Sequence, residues 1–195
     1  MGLANQKHAI RTQAQANRRA QPDKDRLSRQ ILSKFLALPE YERSSSVLFY
    51  VDVRDEVRTR DALPDVLASG KQLAVPYCVD DELKLFQLER LDELEPGKFG
   101  ILEPKRPLRD LASKRIELEQ LDLILVPGVA FDRRGARLGH GHGYYDKLLG
   151  RVRSDTVLVA VAFECQLFAR IPTAEHDVFL NRVLTERASY TREVR

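Results

Sequence analysis

The stretch LDLILVPGVAFDRRGARLGHGHGYYDKLL, residues 121–149, decides how the chain is read. Residues 121–126 form a short apolar run, interrupted only by Asp122 and closed by Pro127 and Gly128. Such a run suits a strand buried on both faces better than one with a solvent face. Gly139, Gly141 and Gly143 follow at alternating positions, and glycine lets the backbone approach a ligand closely and point several N–H groups into one concavity. A helix beginning near Tyr144 would add its positive N-terminal end, so the expectation is a phosphate-binding loop between strand and helix. Glycine-rich loops also serve as plain tight connections. This one is neither a Walker loop nor a Rossmann fingerprint: no Gly-Lys-Ser/Thr follows Gly128 or Gly135, and Gly139-x-Gly141-x-x is completed by Tyr144. The crowding of Asp132, Arg133, Arg134, Arg137, His140, His142, Tyr144, Tyr145 and Asp146 around the glycines favours a site.

Working outward, strand patterns fall at 47–53, 73–77, 83–88 and 156–163, with helical patterns at 59–68, 144–150 and near 109–113. That alternation predicts an α/β fold: one domain over residues 1–195, with a mainly parallel central sheet flanked by helices on both faces. Ligands of such sheets bind outside the C-terminal strand ends, and both Glu56 and residues 128–145 follow strand patterns. With 195 residues, 43% of them hydrophobic, the chain can bury one substantial core, and no Pro/Gly/Ser-rich linker divides it.

Cys78 and Cys165 are the only cysteines, far apart and in apolar surroundings. A disulfide framework is therefore not expected, and a reducing cytoplasmic setting is. No apolar run approaches the ~20 residues that span a bilayer, and residues 1–21 lack the apolar centre of a secretory signal. No membrane partner is expected.

The formal net charge is +3, but residues 1–29 carry Lys7, Arg11, Arg18, Arg19, Lys24, Arg26 and Arg29 against Asp23 and Asp25. An RNA-binding arm, a mitochondrial presequence and a solvated helix pair would each account for this. No aromatic residue precedes Phe35, so the arm has no base-stacking platform and no nucleic-acid partner is expected. In the helix pair, Ala9, Ile10, Ala14 and Ala16 lie beside charges, and Pro22 starts a second helix carrying Leu27, Ile31, Leu32 and Phe35.

The pattern Pro127-Gly128-x-Ala130-Phe131-Asp132-x-x-Gly135-x-Arg137-Leu138-Gly139-x-Gly141-x-Gly143-Tyr144-Tyr145-Asp146 resembles the signature of the 5-formyltetrahydrofolate cyclo-ligases, also called 5,10-methenyltetrahydrofolate synthetases. Further landmarks are Lys7-x-x-x-Arg11, Glu56-Val57-x-Thr59, Gly97-Lys98-Phe99-Gly100-Ile101-Leu102-Glu103-Pro104, Ile171-Pro172 and His176-Asp177, so the resemblance spans nearly the whole chain.

The resemblance implies a cyclo-ligase fold and an ATP- and Mg²⁺-dependent conversion of 5-formyltetrahydrofolate to 5,10-methenyltetrahydrofolate, releasing ADP and phosphate. It assigns ATP to Lys7, His8, Ala9, Ile10 and Arg11 and to Arg137, Leu138, Gly139, His140, Gly141, His142, Gly143, Tyr144 and Tyr145. It assigns the folate to Val51, Glu56 and the loop from His140 to Tyr144, with His140, His142 and Tyr144 at the reacting group. Asp146 and Asn181 are its magnesium positions. The spacing of Lys7 and Arg11 puts them on one helical face, suited to a polyphosphate. A pocketed carboxylate such as Glu56 can accept two parallel hydrogen bonds from the aminopyrimidinone edge of a folate. Lys105, Arg106 and Arg109 could meet a polyglutamate tail or be ordinary surface charge, and a monomer is expected.

The sequence departs from the family pattern in three places. His140 and His142 stand where Arg and Lys are common, and histidine titrates near pH ~6.5, so phosphate affinity is expected to rise as pH falls. Asn181 stands where a second metal-binding Asp is common. The rival reading is a metal-dependent hydrolase on His140-x-His142 with Asp146 and His176.

Overall fold

The computed structural model describes residues 2–80, 82–97, 100–175 and 177–192. The basic N-terminal segment folds as two helices, α1 (Leu3–Ala20) and α2 (Lys24–Leu36), followed by the short α3 (Pro39–Arg43). Helix α2 begins after Pro22 rather than at it, because Asp23 takes a left-handed conformation that turns the chain first. Strand β1 (Ser46–Leu48) leads through a 3₁₀ turn at Thr59–Ala62 into α4 (Leu63–Ala68), and β2 (Gln72–Val79) pairs with β3 (Glu82–Leu88). Then come β4 (Leu94–Pro96), β5 (Leu102–Pro104), β6 (Leu123–Leu125), β7 (Ala130–Phe131), β8 (Arg137–Leu138), α5 (Tyr144–Leu149), β9 (Val157–Val161), β10 (Arg182–Leu184) and β11 (Ser189–Thr191).

Seven strands form the central sheet in the order β11-β10-β9-β6-β1-β2-β3. The neighbours from β10 to β2 all run parallel, and only the edge strands β3 and β11 pair antiparallel. Alternate residues of the inner strands feed two cores. Val47, Phe49, Leu123, Leu125, Val159 and Val161 face α2, α3 and α4, while Leu48, Ile124, Val126, Leu158 and Ala160 join Leu148 and Leu149 of α5. Burial on both faces is why residues 121–126 contain no polar member after Asp122. Phe49 anchors the first core edge-on against Phe35, with ring centres 5.4 Å apart, a geometry worth about 0.5–1.5 kcal/mol beyond buried area.

The order of the strands positions the site. From β1 the chain leaves for β2 on one side, and from β6 it leaves for β9 on the other. A crevice opens where adjacent parallel strands connect in opposite directions, so the C-terminal ends of β1 and β6 define it.

Helix packs on both faces of the sheet as the sequence predicts, but the strands are shorter than their apolar runs. The 47–53 run keeps ladder pairing only over Ser46–Leu48, and the 121–126 and 156–163 runs only over Leu123–Leu125 and Val157–Val161. The pattern near 109–113 gives no α-helix. Pro107 and the turn of Arg109 back onto the Pro104 carbonyl (2.7 Å) leave only 3₁₀ turns at Arg106–Leu108 and Ala112–Lys114. No helix among the described residues is long and apolar enough to cross a membrane.

Candidate active site

A cavity of about 1240 Å³ occupies the crevice. One wall is the segment after β1, with Tyr50, Val51 and Glu56. The second is the segment after β6, with Pro127, Arg137 and residues 139–146. The third comes from β2 and the β4–β5 ribbon, including Cys78, Glu95, Ile101 and Glu103.

The segment after β1 is stitched to itself. Thr59 Oγ1 donates to the Tyr50 carbonyl (2.6 Å) and accepts the Asp52 N–H (3.1 Å), while the fully buried Asp52 accepts from Arg60 N (2.9 Å) and the Arg60 guanidinium. Asp52 is therefore a scaffold carboxylate, Asp55 pairs with Lys24 (3.3 Å), and Glu56 is left to face the cavity. Glu56 is only 7% exposed. Its Oε2 accepts the Val53 N–H (3.1 Å); its Oε1 lies 3.8 Å from Arg18 Nη1 and 3.5 Å from His140 Nε2. Burial drives the Tyr50 hydroxyl well above its ordinary pKa, and the charges of Glu56 and Asp52 push it further.

The segment after β6 folds back as the β7–β8 ribbon and then enters the glycine run. Gly141 and Gly143 take positive φ, +106° and +74°, conformations that glycine adopts without strain. Arg11 Nε holds the Gly139 carbonyl (2.9 Å). The Arg137 side chain, 4% exposed, donates through Nη1 to the Pro127 carbonyl (3.1 Å) and through Nη2 to Asp146 Oδ1. Burial pulls the Arg137 pKa down, opposed by the Asp146 carboxylate. The two histidines part company: His140 turns to Glu56, and His142 stacks on Tyr144 with ring centres 5.8 Å apart. The Tyr145 hydroxyl is buried without a hydrogen-bond partner among the described residues. Burial and the Glu56 charge push its pKa far up, against the pull of Arg137.

Helix α1 closes the site with one stripe of its surface. Lys7, Arg11, Ala14 and Arg18 recur at helical spacing and take, in turn, Asp177 Oδ2 (2.9 Å), the Gly139 carbonyl, the small apolar cluster of Val129, Ala130, Ala136 and Leu138, and the Gly128 carbonyl (3.4 Å) beside Glu56.

The sequence-predicted residues thus converge unevenly. Val51, Glu56, Arg137, Gly139, His140, Gly141, His142, Gly143, Tyr144, Tyr145 and Asp146 line one cavity. Leu138 is buried beneath it in the small apolar cluster, where Ile10 packs. Lys7 and Arg11 reach the loops around the site, whereas His8 and Ala9 are exposed. Asn181 is not brought to the cavity. It sits between β9 and β10, its Oδ1 accepting Leu158 N–H (2.7 Å) and its own N–H donating to the Leu158 carbonyl (2.9 Å). Arg106 and Arg109 line the cavity, Arg109 pairing with Glu103 (3.1 Å); Lys105 does not. His176, with Lys98 and Phe99 of the expected landmarks, lies outside the described residues. Among the described residues no three His, Cys, Asp or Glu side chains gather as a metal site. Arg18, counted in the sequence only as one of seven N-terminal cations, is the one of them that is buried.

The sequence model of the 5-formyltetrahydrofolate cyclo-ligase family matches residues 3–186. The chain is 31% identical over 191 residues to the 5-formyltetrahydrofolate cyclo-ligase of Mus musculus, covering 92% of this chain and 93% of that one. It is 35% identical over 133 residues to a probable 5-formyltetrahydrofolate cyclo-ligase of Schizosaccharomyces pombe, covering 67% of this chain and 64% of that one. The NMR structure of Aquifex aeolicus 5,10-methenyltetrahydrofolate synthetase superposes with a TM-score of 0.83 at 34% identity, covering 97% of this chain and 94% of that one. With its switch-point cavity, its glycine run and these likenesses together, the chain belongs to the 5-formyltetrahydrofolate cyclo-ligase family, a family of ligase enzymes.

Proposed function

We propose that the protein converts 5-formyltetrahydrofolate to 5,10-methenyltetrahydrofolate at the expense of ATP. The observation that carries this reading is the sharing of one cavity by a buried carboxylate, Glu56, and a cation-flanked glycine run. The first suits the aminopyrimidinone edge of a folate and the second a polyphosphate.

The chemistry needs both. The formyl group on N5 is amide-like, and its oxygen is a poor leaving group when N10 attacks. Transfer of the γ-phosphoryl group to that oxygen breaks the bond to the β-phosphate, releases ADP and makes a phosphate ester; N10 then bonds to the activated carbon and gives up its proton to water, the C–O bond breaks, and phosphate leaves with the electron pair. No protein nucleophile is required, and the enzyme contributes positioning and neutralisation of phosphoryl charge. In this reading Glu56 and Val51 hold the pterin, and His140, His142 and Tyr144 border the formyl group. Arg11 and Arg137, with the backbone of residues 138–145, face the phosphates, and Lys7 lies at the far end of the same helix stripe.

Magnesium suits this site as an ion shared with ATP. It is commonly held by one or two carboxylates together with substrate phosphates and water. Asp146, half exposed on the cavity wall, supplies such a carboxylate. The ion would add positive charge at the phosphoryl oxygens. Asn181 enters only if the loop carrying it moves, since its amide is already committed to the sheet.

The test is the ultraviolet absorbance of the methenyl product with 5-formyltetrahydrofolate, Mg²⁺ and ATP. Product that requires ATP and forms much more slowly in Glu56→Gln at low 5-formyltetrahydrofolate supports the reading. No product from folded protein, or product formed equally without ATP, overturns it.

A further inference from the structure

We propose that Arg18 is a positioning residue for folate binding: it supplies the counter-charge behind the Glu56 carboxylate and keeps it aimed into the cavity. The proposal rests on the reading of Glu56 as the folate acceptor and adds to it a residue outside the family landmarks.

Arg18 lies near the end of α1 and is only 7% exposed, an unusual position for a guanidinium. Long charged side chains are almost never so deeply buried without a partner, and an uncompensated buried charge costs several kcal/mol. Its two recorded partners account for the burial. Nη1 donates to the Gly128 carbonyl (3.4 Å) and stands 3.8 Å from Glu56 Oε1. The carboxylate is equally buried, and its other oxygen is fixed by the Val53 N–H. Arg18 therefore sits behind Glu56, where His140 approaches the same oxygen from the cavity side at 3.5 Å.

The arrangement has a direct chemical meaning. A carboxylate that must accept two parallel N–H donors from a ligand has to be anionic and correctly turned before the ligand arrives, and enclosing it in a low-dielectric wall works against both. A guanidinium on the protein side offsets the burial without occupying the ligand side. Removing Arg18 leaves Glu56 Oε1 held from the cavity side alone, by His140 at 3.5 Å, and frees the carboxylate to turn from the folate edge. The Gly128 carbonyl is also held by Gln166 Nε2 (3.3 Å), so that end of the loop does not depend on Arg18 alone. The stripe on α1 then divides its labour: Lys7 and Arg11 serve the phosphate end, and Arg18, seven residues and about 10 Å further along, serves the pterin end.

The experiment measures initial rates by the methenyl absorbance, varying each substrate, for wild type, Arg18→Gln, Arg18→Lys, Glu56→Gln and the Arg18→Gln/Glu56→Gln double variant, with thermal midpoints alongside. Arg18→Gln is expected to raise the KM for 5-formyltetrahydrofolate about tenfold or more, in keeping with a lost charge-assisted contact, with the KM for ATP changed less than about twofold. Arg18→Lys recovers most of the loss, and the double variant is no worse than Glu56→Gln. A rise in both KM values alike, or a lowered midpoint with neither KM moved, makes Arg18 a tether of α1 and overturns the proposal. Should Arg18→Gln not fold, Arg18→Met, which keeps the unbranched stem without the charge, decides in its place: a folate-specific rise supports the proposal, and unchanged or equally shifted KM values overturn it. If Glu56→Gln leaves the folate KM unmoved, the reading of Glu56 itself is what fails.

Discussion

Arg137 and Asp146 form an ion pair between the inside and the rim: the guanidinium is 4% exposed and the carboxylate side chain 52%. Held this way, the buried cation presents little net charge to an arriving anion. Asp146→Asn should unmask it. In the presence of EDTA, metal-free ATP is expected to bind the variant about tenfold more tightly than wild type by calorimetry, while Mg²⁺-dependent turnover falls. Equal metal-free affinities would show that the pair does not screen the phosphate site.

Gly135 is required by its backbone and by its neighbour. Its φ is +85°, a Cβ there would lie 2.2 Å from the Leu180 carbonyl oxygen, and the Gly135 carbonyl accepts the Leu180 N–H at 2.8 Å. Neither contact can shift without opening the link between the β7–β8 ribbon and the segment before β10. Gly135→Ala is expected to cost roughly 3 kcal/mol or more, read as a lowered urea midpoint at unchanged slope.

Tyr145→Phe separates fold from ligand. The hydroxyl is buried without a partner among the described residues and faces Glu56 and Arg137, so deleting it leaves no protein group unpaired. The thermal midpoint should stay within about 2 °C of wild type, while the KM for 5-formyltetrahydrofolate or ATP rises. A variant with both KM values unchanged would show that the hydroxyl meets neither substrate.

Lys114 gives a pH-dependent test away from the cavity. Its ammonium sits on Glu93 Oε1 (2.5 Å) and Glu89 Oε2 (2.7 Å) beneath the β4–β5 ribbon. Burial alone would raise the Glu93 pKa, but Lys114 and the Glu89 and Arg90 N–H groups outweigh it and bring it below the ordinary value. A depressed carboxylate stabilises the fold above its unfolded pKa, about 4.3, and that contribution disappears as pH falls through the folded value. Glu93→Gln should therefore lower the thermal midpoint at pH 7 and converge with wild type as pH falls through the depressed folded value. A gap independent of pH would place the effect in packing.

Apolar runs in the sequence reported burial more faithfully than pairing. Val126, Ala162 and Phe163 belong to the apolar runs and are buried, yet the strands end before them; the Val126 and Ala162 N–H groups still donate to the Val159 (2.8 Å) and Leu184 (2.9 Å) carbonyls without continuing the ladder. The β7–β8 ribbon was invisible, since two-residue strands such as Ala130–Phe131 and Arg137–Leu138 are set by tertiary contacts and leave no periodic trace. In the site, the glycine run and Glu56 were legible through the family resemblance. Arg18 was hidden because charge counting treats the seven N-terminal cations alike, whereas burial singles out one of them. Asn181 was expected at a metal through alignment of its position in the motif, but its amide closes the β9–β10 ladder.

The stripe on α1 also orders events in time. Its partners lie 170 residues away for Lys7, 128 for Arg11 and 110 for Arg18. A ribosome adding about 5–20 residues per second releases this helix long before the carbonyls and carboxylates that hold it exist. The sheet around β1 and β2 can assemble while the helix waits, and the crevice is completed only when the last third of the chain emerges. The helix thus docks well after it is made, and the binding cavity waits on residues more than a hundred positions downstream of it.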